Sequence, residues 1–380
     1  MRVQKSSRPV VVLSANTAWF ITNFCRELVH GLKEAGYEPV AVAPAEIVAG
    51  AMHELDVRHL AVRIDRAGAN PLADLRLLAI YRRILKEQRA AAYLGFTIKP
   101  NIYGSLAAAS LGIPAIPNVS GIGNAFLRHD PVQMIVRLLS RAAFRRAPVV
   151  FFQNPDDRRF FIDRRIVRSD QARLLPGMGV DLQRFAPTPV AAGPTKFLLI
   201  ARLVRDKGIF EFVEAARLLQ EVLPTARFEL LGPLDQGHRS AISRQEIDAW
   251  VRDGVIEYLG TTNDVRPYIA AATAIVLPSY REGLPGSLLE GAAMGRPLIA
   301  TDVPGCREIV DDGVNGYLCA PRDPVALASV MRRLAELPEC KRTAMGAEAR
   351  RWVQERFSGE LVVREYVGAL AAAGFAEAGT

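Results

Sequence analysis

Residues 274–301 constrain the fold of this chain more than any other stretch. An apolar run at 274–278 and another at 298–301 are each short enough to be a buried parallel strand. Between them, Pro285 and Ser287 indicate the start of a helix, with Ser287 as its cap, and Gly295 marks its end. A strand, a helix and a second strand in this order predict a parallel pair joined by a right-handed crossover.

The same alternation of short apolar runs and helical patterns extends over the whole chain, which predicts an α/β protein with doubly wound parallel sheets. Because 380 residues exceed one ordinary core, we expect two Rossmann-like domains that face a cleft. The predicted domains are residues 1–186 and 187–358, with a proline-bearing linker at 186–195 and a final helix in 359–380 that packs back on the first domain. Strands are expected at 10–14, 39–43, 57–64, 91–95, 115–119, 149–152, 197–200, 227–231, 255–259, 274–277, 298–301 and 316–319, and helices at 21–32, 75–85, 102–109, 131–146, 208–223, 324–336, 340–357 and 359–372.

Composition excludes several classes of protein. A hydrophobic share of 50% with 23% charged residues is typical of a globular chain and not of a disordered one. The four cysteines have no short paired spacing, so neither a disulfide framework nor a zinc site is predicted. No run approaches the roughly 18 apolar residues of a membrane span, and the apolar run after Arg2, Lys5 and Arg8 is too short for a signal peptide. We therefore expect a protein that is soluble or lies on a membrane surface.

Positive charge is concentrated in the first half of the chain. Residues 1–188 contain 26 Lys and Arg against 15 Asp and Glu, whereas the remainder contains 22 against 25. The segment 131–146 is predicted to be an amphipathic helix with arginines opposite its apolar face, and a second basic group at 158–168 is interleaved with Phe160 and Phe161. Two interpretations stay open: an ordinary solvated face with extended arginines, or adsorption to an anionic membrane at about 1 kcal/mol per basic residue. Nucleic-acid binding is disfavoured because no recognised motif accompanies the charge.

Charged side chains are predicted at the carboxyl ends of two strands in the second half, where open α/β sheets bind ligands. Arg202 and Lys207 follow the first of these strands, and two fixed cations there can hold a diphosphate and stabilise it as a leaving group. Glu282 precedes the next helix and Glu290 lies inside it, near N–H groups that attract a phosphate. The alternatives are a salt-bridged loop around Lys207 and a simple helix-dipole effect for Glu290.

Two absences narrow the chemistry further. The loop at 14–20, after the first strand, lacks the Gly-x-Gly-x-x-Gly fingerprint, which disfavours a dehydrogenase. The sequence contains no Asp-x-Asp and no cluster of His, Cys and carboxylates with metal-ligand spacing. We therefore expect no metal and no cofactor, with Arg202 and Lys207 neutralising charge instead.

Residues 281–297 resemble the Glu-x7-Glu motif of retaining glycosyltransferases of the GT-B fold, in the large family numbered four. Residues 201–208 resemble the family's Gly-Arg-Leu…Lys-Gly signature, with Ala201 in place of its first glycine. The resemblance covers nearly the whole chain and implies a metal-independent hexosyltransferase that uses a nucleotide sugar. It implies Glu282, Arg202 and Lys207 as catalytic residues, with Glu282 at the donor sugar. The residues implied in donor binding are Arg202, Lys207, Gly283, Leu284, Pro285, Glu290 at the ribose, and Leu259 near the base.

Residues 97–108 and 119–123 resemble a narrower group, the bacterial enzymes that extend undecaprenyl-diphosphate-linked sugars. This group includes the α-1,3-N-acetylgalactosaminyltransferases of diacetylbacillosaminyl-diphospho-undecaprenol. The resemblance implies a UDP-N-acetylhexosamine donor, a lipid-linked saccharide acceptor, and a place on the cytoplasmic face of the inner membrane, held by the basic first domain. It puts Asn16, Lys99 and Gly121 on the acceptor side, with Lys99 at the acceptor diphosphate.

Two departures from the family pattern concern the acceptor. Residues 118–121 stand where many members carry a histidine after the fifth strand, and His129 is not taken as its substitute. Residues 16–18 stand where many members have paired glycines. Two alternatives therefore stay open: a related transferase with a soluble acceptor, and a non-catalytic membrane-associated scaffold of the same fold.

Overall fold

A computed structural model describes residues 8–45, 49–65, 70–122, 126, 131–190, 193–235, 237–238 and 240–375. Its internal contacts divide the chain into two compact units. The first comprises residues 1–179 together with 359–380, and the second comprises residues 180–358. Each unit has its own parallel sheet, as the alternation of strand and helix patterns predicts.

The first unit is built on a parallel sheet that has seven strands among the described residues, in the order β3-β2-β1-β4-β5-β6-β7. The strands are β1 (Val10–Ser14), β2 (Glu38–Ala43), β3 (Arg58–Ala61), β4 (Ala92–Gly95), β5 (Ala115–Val119), β6 (Val150–Phe152) and β7 (Ala172–Leu174). The helices are α1 (Ala18–Phe24), α2 (Arg26–Glu34), α3 (Ala49–Glu54), α4 (Pro71–Glu87), α5 (Ser105–Ser110), α6 (Pro131–Phe144) and α7 (Pro155–Asp163). From β1 the chain goes to β2 and β3 on one side and returns to β4 on the other, so the topological switch point lies between β1 and β4.

Helices cover both faces of this sheet. Neighbouring residues of a strand point to opposite faces, so Val11 and Leu13 enter one core and Val12 enters another. Helices α1, α2 and α3 contribute to the first core, together with a C-terminal helix of this unit, Gly359–Ala372. Helices α4 and α5 contribute to the second core, and α6 and α7 pack with β6 in a third.

The C-terminal helix of the first unit packs along α2. Its Tyr366 is fully buried, and the Tyr366 hydroxyl accepts a hydrogen bond at 3.0 Å from the side-chain amide of Asn118 in β5. The first residue of the 118–121 segment is therefore part of a buried polar contact.

The second unit is built on a parallel sheet that has six strands in the part described, in the order β10-β9-β8-β11-β12-β13. The strands are β8 (Lys196–Ile200), β9 (Arg227–Leu231), β10 (Glu257–Tyr258), β11 (Ala274–Leu277), β12 (Leu298–Thr301) and β13 (Gly316–Cys319). The helices are α8 (Ile209–Leu219), α9 (Arg244–Arg252), α10 (Arg266–Ala271), α11 (Gly286–Ala293), α12 (Pro324–Ala335) and α13 (Glu339–Arg356), so the helix of the first unit at Gly359–Ala372 is α14. The switch point of this sheet lies between β8 and β11, the two strands that precede the predicted charged residues.

Several predicted elements differ from the structure. The helix expected at 21–32 is divided into α1 and α2, because Cys25 has a non-helical backbone with φ −103° and ψ 10°. The helix expected at 102–109 begins with a π-helical turn, Pro100–Gly104, whose first carbonyl accepts a hydrogen bond from the buried Tyr93 hydroxyl at 2.9 Å. The strand expected at 57–64 is shorter. The elements that the sequence analysis missed are β7, α3, α7, α9 and α10.

The expected linker is not a free connection. The boundary between the compact units falls after Gly179, whereas the sequence analysis places it at residue 186. The guanidinium of the fully buried Arg296 donates to the carbonyls of Thr188 and Pro189, and to that of Ile269 in α10. Part of the 186–195 segment is therefore fixed to the second unit, and residues 191–192 lie outside the described part.

In the described part of the chain, no helix combines the length and the hydropathy that crossing a bilayer requires.

Candidate active site

The loop after β8 carries the two predicted cations of the second unit. Arg202 lies two residues after the end of β8, and Lys207 ends a short 3-10 turn, Arg205–Lys207. Gly208 comes next with φ +71°, and a Cβ at this position would lie 2.0 Å from the carbonyl oxygen of Pro278. Only glycine therefore allows this loop to lie directly against the loop that follows β11.

That contact brings Lys207 to Glu282. The Lys207 ammonium donates to Oε1 of Glu282 at 2.5 Å, and the two side chains are 22% and 10% exposed. The alternative of a salt-bridged loop around Lys207 is therefore partly right, and the partner of Lys207 is Glu282. Two of the three predicted catalytic residues, Lys207 and Glu282, thus form a sheltered ion pair at the switch point between β8 and β11.

Two further groups fix the position of Glu282. The hydroxyl of Ser279 donates to the same Oε1 at 2.5 Å, and the carbonyl of Ser279 accepts a hydrogen bond from Thr301 at the end of β12. The backbone N–H of Glu282 donates to the carbonyl of Pro304 at 3.1 Å. The loops after β11 and β12 thus jointly fix the position of this carboxylate.

Residues 283–285, predicted to bind the donor, lie between Glu282 and α11. Gly283 and Pro285 are buried, and Leu284 is half-buried. Gly305, which has φ +89°, packs against Gly283. A Cβ at position 305 would lie 2.6 Å from the carbonyl oxygen of Gly283. The expected cap at Ser287 is wrong, because α11 starts at Gly286 with Pro285 as its N-cap and has no side-chain cap.

Tyr280 is a second anchor of this loop, and the sequence analysis missed it together with Ser279. The Tyr280 N–H donates to the carbonyl of Asp206, and its hydroxyl donates to Glu211 at 2.6 Å. The guanidinium of Arg322 lies 4.5 Å from the ring centroid. Burial, together with the hydrogen bond to Glu211, raises the pKa of Tyr280 to about 12. Their position in the sequence could have identified both residues, since Ser279 and Tyr280 lie between a buried strand and Glu282.

Arg202 differs from Lys207 in its exposure. Its side chain is 55% exposed, and its guanidinium donates to Asp235 at 2.8 Å. The loops after β9 and β10 also meet at this edge, because the N–H of Gly232 donates to the carbonyl of Gly260 at 2.8 Å. The half-buried Leu259 precedes that contact. These loops place the predicted base-binding residue at the same edge of the sheet as Arg202.

Glu290 lies in the middle of α11 and is half-buried. Burial raises the pKa of Glu290 to about 7, and the positive charge of Arg184 opposes part of that rise. No hydrogen bond from the residues that the structure describes reaches its carboxylate. Arg184, which the sequence analysis missed, is the cation that acts on this carboxylate. A partly protonated carboxyl near neutral pH can both donate and accept hydrogen bonds.

The predicted acceptor residues follow neighbouring strands of the first unit. Asn16 follows β1, and its N–H donates to the Thr97 hydroxyl after β4 at 2.9 Å, which brings these two loops together. Gly121 follows β5 with φ +134°. Lys99 has a partner of its own, since its ammonium lies 2.7 Å from Asp74 and the two side chains are only 12% and 14% exposed. His129 and Gly123 lie outside the described residues.

The basic second group at 158–168 is mostly engaged within the first unit. Arg158 donates to the carbonyl of Ala172, Arg164 stacks on Phe160 at 3.7 Å, and Arg168 pairs with Asp170. Phe161 is fully buried, so it is not an aromatic anchor on the surface. No group of three or more His, Cys, Asp or Glu side chains suited to a metal ion occurs among the residues that the structure describes.

Comparison with known proteins identifies the family. The family described as Glycosyl transferases group 1 matches residues 194–336, which include the Lys207–Glu282 pair. The family described as Glycosyl transferase 4-like domain matches residues 21–177. The structure of Anabaena HepE in complex with UDP and glucose matches with a TM-score of 0.79 and 17% identity, over 96% of this chain and 100% of that one. The chain is a GT-B glycosyltransferase.

The relatives of this GT-B glycosyltransferase confirm the predicted family. It is 24% identical over 334 residues to the Campylobacter jejuni N,N'-diacetylbacillosaminyl-diphospho-undecaprenol alpha-1,3-N-acetylgalactosaminyltransferase, which is 83% of this chain and 86% of the relative. It is also 24% identical over 280 residues to an Escherichia coli UDP-Gal:alpha-D-GlcNAc-diphosphoundecaprenol alpha-1,3-galactosyltransferase, over 70% of this chain and 71% of the relative. The expected α/β fold with two parallel sheets is confirmed as well.

Proposed function

We propose that this glycosyltransferase moves an N-acetylhexosamine from a UDP-sugar to a polyprenyl-diphosphate-linked saccharide in bacterial glycan assembly, with retention of the anomeric configuration. The observation that carries the proposal is the Lys207–Glu282 pair at the switch point of the second unit, with Arg202 after the same strand. Cations suit a diphosphate and a carboxylate suits sugar hydroxyls, so this sheet edge has the groups that a nucleotide sugar needs.

The names of the relatives support the choice of donor and acceptor. The Campylobacter and Escherichia coli relatives are both named for transfer to a sugar on diphospho-undecaprenol, and the second is also named for UDP-Gal. We assign Gly283, Leu284, Pro285, Glu290 and Leu259 to donor binding with the two cations.

The proposed mechanism is a front-side displacement. The acceptor hydroxyl oxygen bonds to the anomeric carbon on the face from which the diphosphate leaves, and the bond from that carbon to the phosphate oxygen breaks. The hydroxyl proton goes to an oxygen of the leaving diphosphate, so no protein side chain has to act as base. Arg202 and Lys207 stabilise the charge that develops on the leaving group, and Glu282 orients the sugar through its hydroxyls.

We propose that the transfer needs no metal ion, because Arg202 and Lys207 supply the positive charge that a metal supplies elsewhere. Full activity should then persist after exhaustive treatment with a chelator. Activity that is lost on chelation and restored by manganese would contradict this part of the proposal.

We assign the acceptor to the carboxyl edge of the first unit's sheet, at Asn16 and Gly121. Lys99 would reach the acceptor diphosphate only by sharing its ammonium with Asp74, with which it is paired at 2.7 Å. The hydroxyl of Tyr103 donates to the other oxygen of Asp74 at 2.8 Å, so this carboxylate is already bonded on both sides. Replacement of Lys99 by methionine is therefore a test of both structure and acceptor affinity.

The proposed attachment to an anionic membrane rests on one stripe of α6. Met134 and Leu138 are each 61% exposed, the exposed Arg141 continues the same helical face, and the exposed Arg145 follows the last residue of the helix. Leu72 and Leu75, in the first turns of α4, are also exposed large apolar residues. Both helices follow strands of the parallel sheet, so their first turns lie at its carboxyl edge, the edge to which we assign the acceptor. Apolar side chains with arginines beside them suit insertion into a lipid headgroup region.

The function is tested by measuring nucleotide release from purified protein with a panel of UDP- and GDP-sugars. Each donor is measured alone, with undecaprenyl-diphosphate-linked saccharide in detergent, and with soluble saccharides. We expect UDP release from a UDP-N-acetylhexosamine that requires the lipid-linked acceptor. Release that needs only a soluble saccharide would replace the lipid-linked acceptor by a soluble one.

A further inference from the structure

The carboxylate of Glu282 is hydrogen-bonded to Lys207, the cation that a bound diphosphate would use. Its Oε1 accepts hydrogen bonds from the Lys207 ammonium and from the Ser279 hydroxyl, both at 2.5 Å. Ser279 is fully buried, and its carbonyl accepts from Thr301, so the carboxylate is fixed in this position. A phosphate oxygen that binds Lys207 therefore meets a negative charge already bonded to the same ammonium.

Two negative groups that share one ammonium repel each other, and the repulsion is strong where the side chains are sheltered from water. Lys207 and Glu282 are 22% and 10% exposed, so water screens them little. A donor can reduce the repulsion, because the hydroxyls of its sugar donate hydrogen bonds to the carboxylate. A nucleoside diphosphate without a sugar has no such hydroxyls next to the diphosphate.

We infer that Glu282 has a second role beside orienting the sugar: its charge weakens the binding of the diphosphate product and so speeds product release. This inference rests on the proposed function of the same site. While the donor is bound, its sugar hydroxyls donate hydrogen bonds to the carboxylate of Glu282 and so reduce its repulsion of the diphosphate. After transfer those donors leave with the product saccharide, and the carboxylate again competes with the diphosphate for Lys207. One side chain thus favours the donor over the product.

The test compares the dissociation constants of UDP, uridine and a UDP-sugar, by calorimetry, for the full chain and its variants. Glu282→Gln keeps the size of the side chain and removes its charge, and Glu282→Ala is a second way to remove the charge. Both variants should bind UDP about tenfold more tightly than the unchanged protein and release it correspondingly more slowly in stopped flow. Uridine, which has no phosphate, should bind equally well to all three proteins. Affinity for the UDP-sugar should gain less than that for UDP, or fall.

A double variant locates the effect. Lys207→Met combined with Glu282→Gln should lose the gain in UDP affinity, because the gain comes from freeing Lys207. Glu282→Asp, which keeps the charge, should bind UDP no more tightly than the unchanged protein.

Two results would overturn the inference in distinguishable ways. If the unchanged protein binds UDP but neither charge-removing variant binds it more tightly, the release role is wrong and the proposed function stands. If the unchanged protein binds neither UDP nor any UDP-sugar, the inference and the proposed donor are both wrong.

Discussion

The ammonium of Lys207 lies 2.5 Å from Oε1 of Glu282, although 75 positions separate the two residues in the sequence. The pair joins the loop after β8 to the loop after β11, across the switch point of the second sheet. The same two loops are also joined by the Tyr280 N–H bond to Asp206 and by the contact of Gly208 with Pro278. The position of one candidate catalytic residue therefore depends on the other.

Replacement of Glu282 by alanine is expected to reduce kcat by about 100-fold or more, a typical effect of removing one group aimed at the reacting centre. Circular dichroism and a thermal unfolding curve show whether the variant is folded. Asp302→Ala is the matched control, because Asp302 is an exposed carboxylate on the neighbouring loop, paired with Arg307. Near-full turnover of a folded Glu282→Ala protein would rule out the proposed role of this carboxylate.

Replacement of Gly208 by alanine is expected to lower the free energy of unfolding by about 3 kcal/mol or more, since it adds both a strained φ and a clash with the Pro278 carbonyl. The control is Gly254→Ala. Gly254 has nearly the same φ, +69° against +71°, but a Cβ there meets nothing within 4 Å. This control should cost only about 1–2 kcal/mol. Chemical denaturation measures both values, and equal losses would mean that the contact with Pro278 is unimportant.

Protein stability is expected to depend on pH through Glu290. Burial raises the pKa of Glu290 in the folded chain to about 7, against an ordinary value of 4.5, so the folded state binds the proton more tightly than the unfolded state. The stability that this group contributes is present in acid and is lost as the pH rises from about 4.5 to about 7. Glu290→Gln does not titrate, so its stability relative to the unchanged protein should increase over that range and then stay constant.

Unfolding free energies at several pH values between 4 and 9 test this prediction. Glu246→Gln is a control of opposite sign, because hydrogen bonds from Ser243 lower the pKa of Glu246. Because its pKa is lowered from 4.5, the loss of stability in Glu246→Gln should be essentially complete by about pH 4.5 and stay constant above it. If the difference in unfolding free energy between Glu290→Gln and the unchanged protein does not vary with pH, the pKa of Glu290 is not raised in the folded state.

Membrane binding is expected to depend on the exposed stripe of α6. The double variant Met134→Gln and Leu138→Gln removes two exposed apolar side chains and should weaken binding to vesicles of phosphatidylglycerol and phosphatidylethanolamine by about tenfold or more. Arg141→Gln should weaken it by about fivefold, and added salt should remove that difference. Val325→Gln is the control, because Val325 is 65% exposed and lies in the second unit. Sedimentation with vesicles gives the affinity of each variant. If all variants bind equally well, α6 does not contribute to membrane binding.

Strands were predicted well from the sequence where a short apolar run is followed by a loop that contains charged residues. The strands at 274–277 and 298–301 coincide with β11 and β12, and Arg202, Lys207, Glu282 and Glu290 follow from their positions relative to such strands. Local patterns carry this information, because burial of both faces of a parallel strand leaves a short continuous apolar run.

Contacts between distant residues were not predictable in the same way. The pairing of Lys99 with Asp74 and the bonds of Arg296 to Thr188 depend on how elements pack, and no local pattern encodes them. The break at Cys25 and the π-helical turn at Pro100–Gly104 likewise follow from tertiary contacts that override helix propensity. Arg296 shows the difference clearly, since it belongs to the recognised 281–297 motif but is a fully buried structural residue.

The most direct measurement of the central claim is the transfer of label from a radioactive UDP-N-acetylhexosamine to undecaprenyl-diphosphate-linked saccharide. The product is extracted into organic solvent, and the anomeric configuration of the new linkage is determined by NMR. The account predicts labelled lipid with the configuration of the donor, formed by the unchanged protein and Asp302→Ala and strongly reduced in Glu282→Ala. Label that enters only soluble saccharides, or a linkage of inverted configuration, would contradict it.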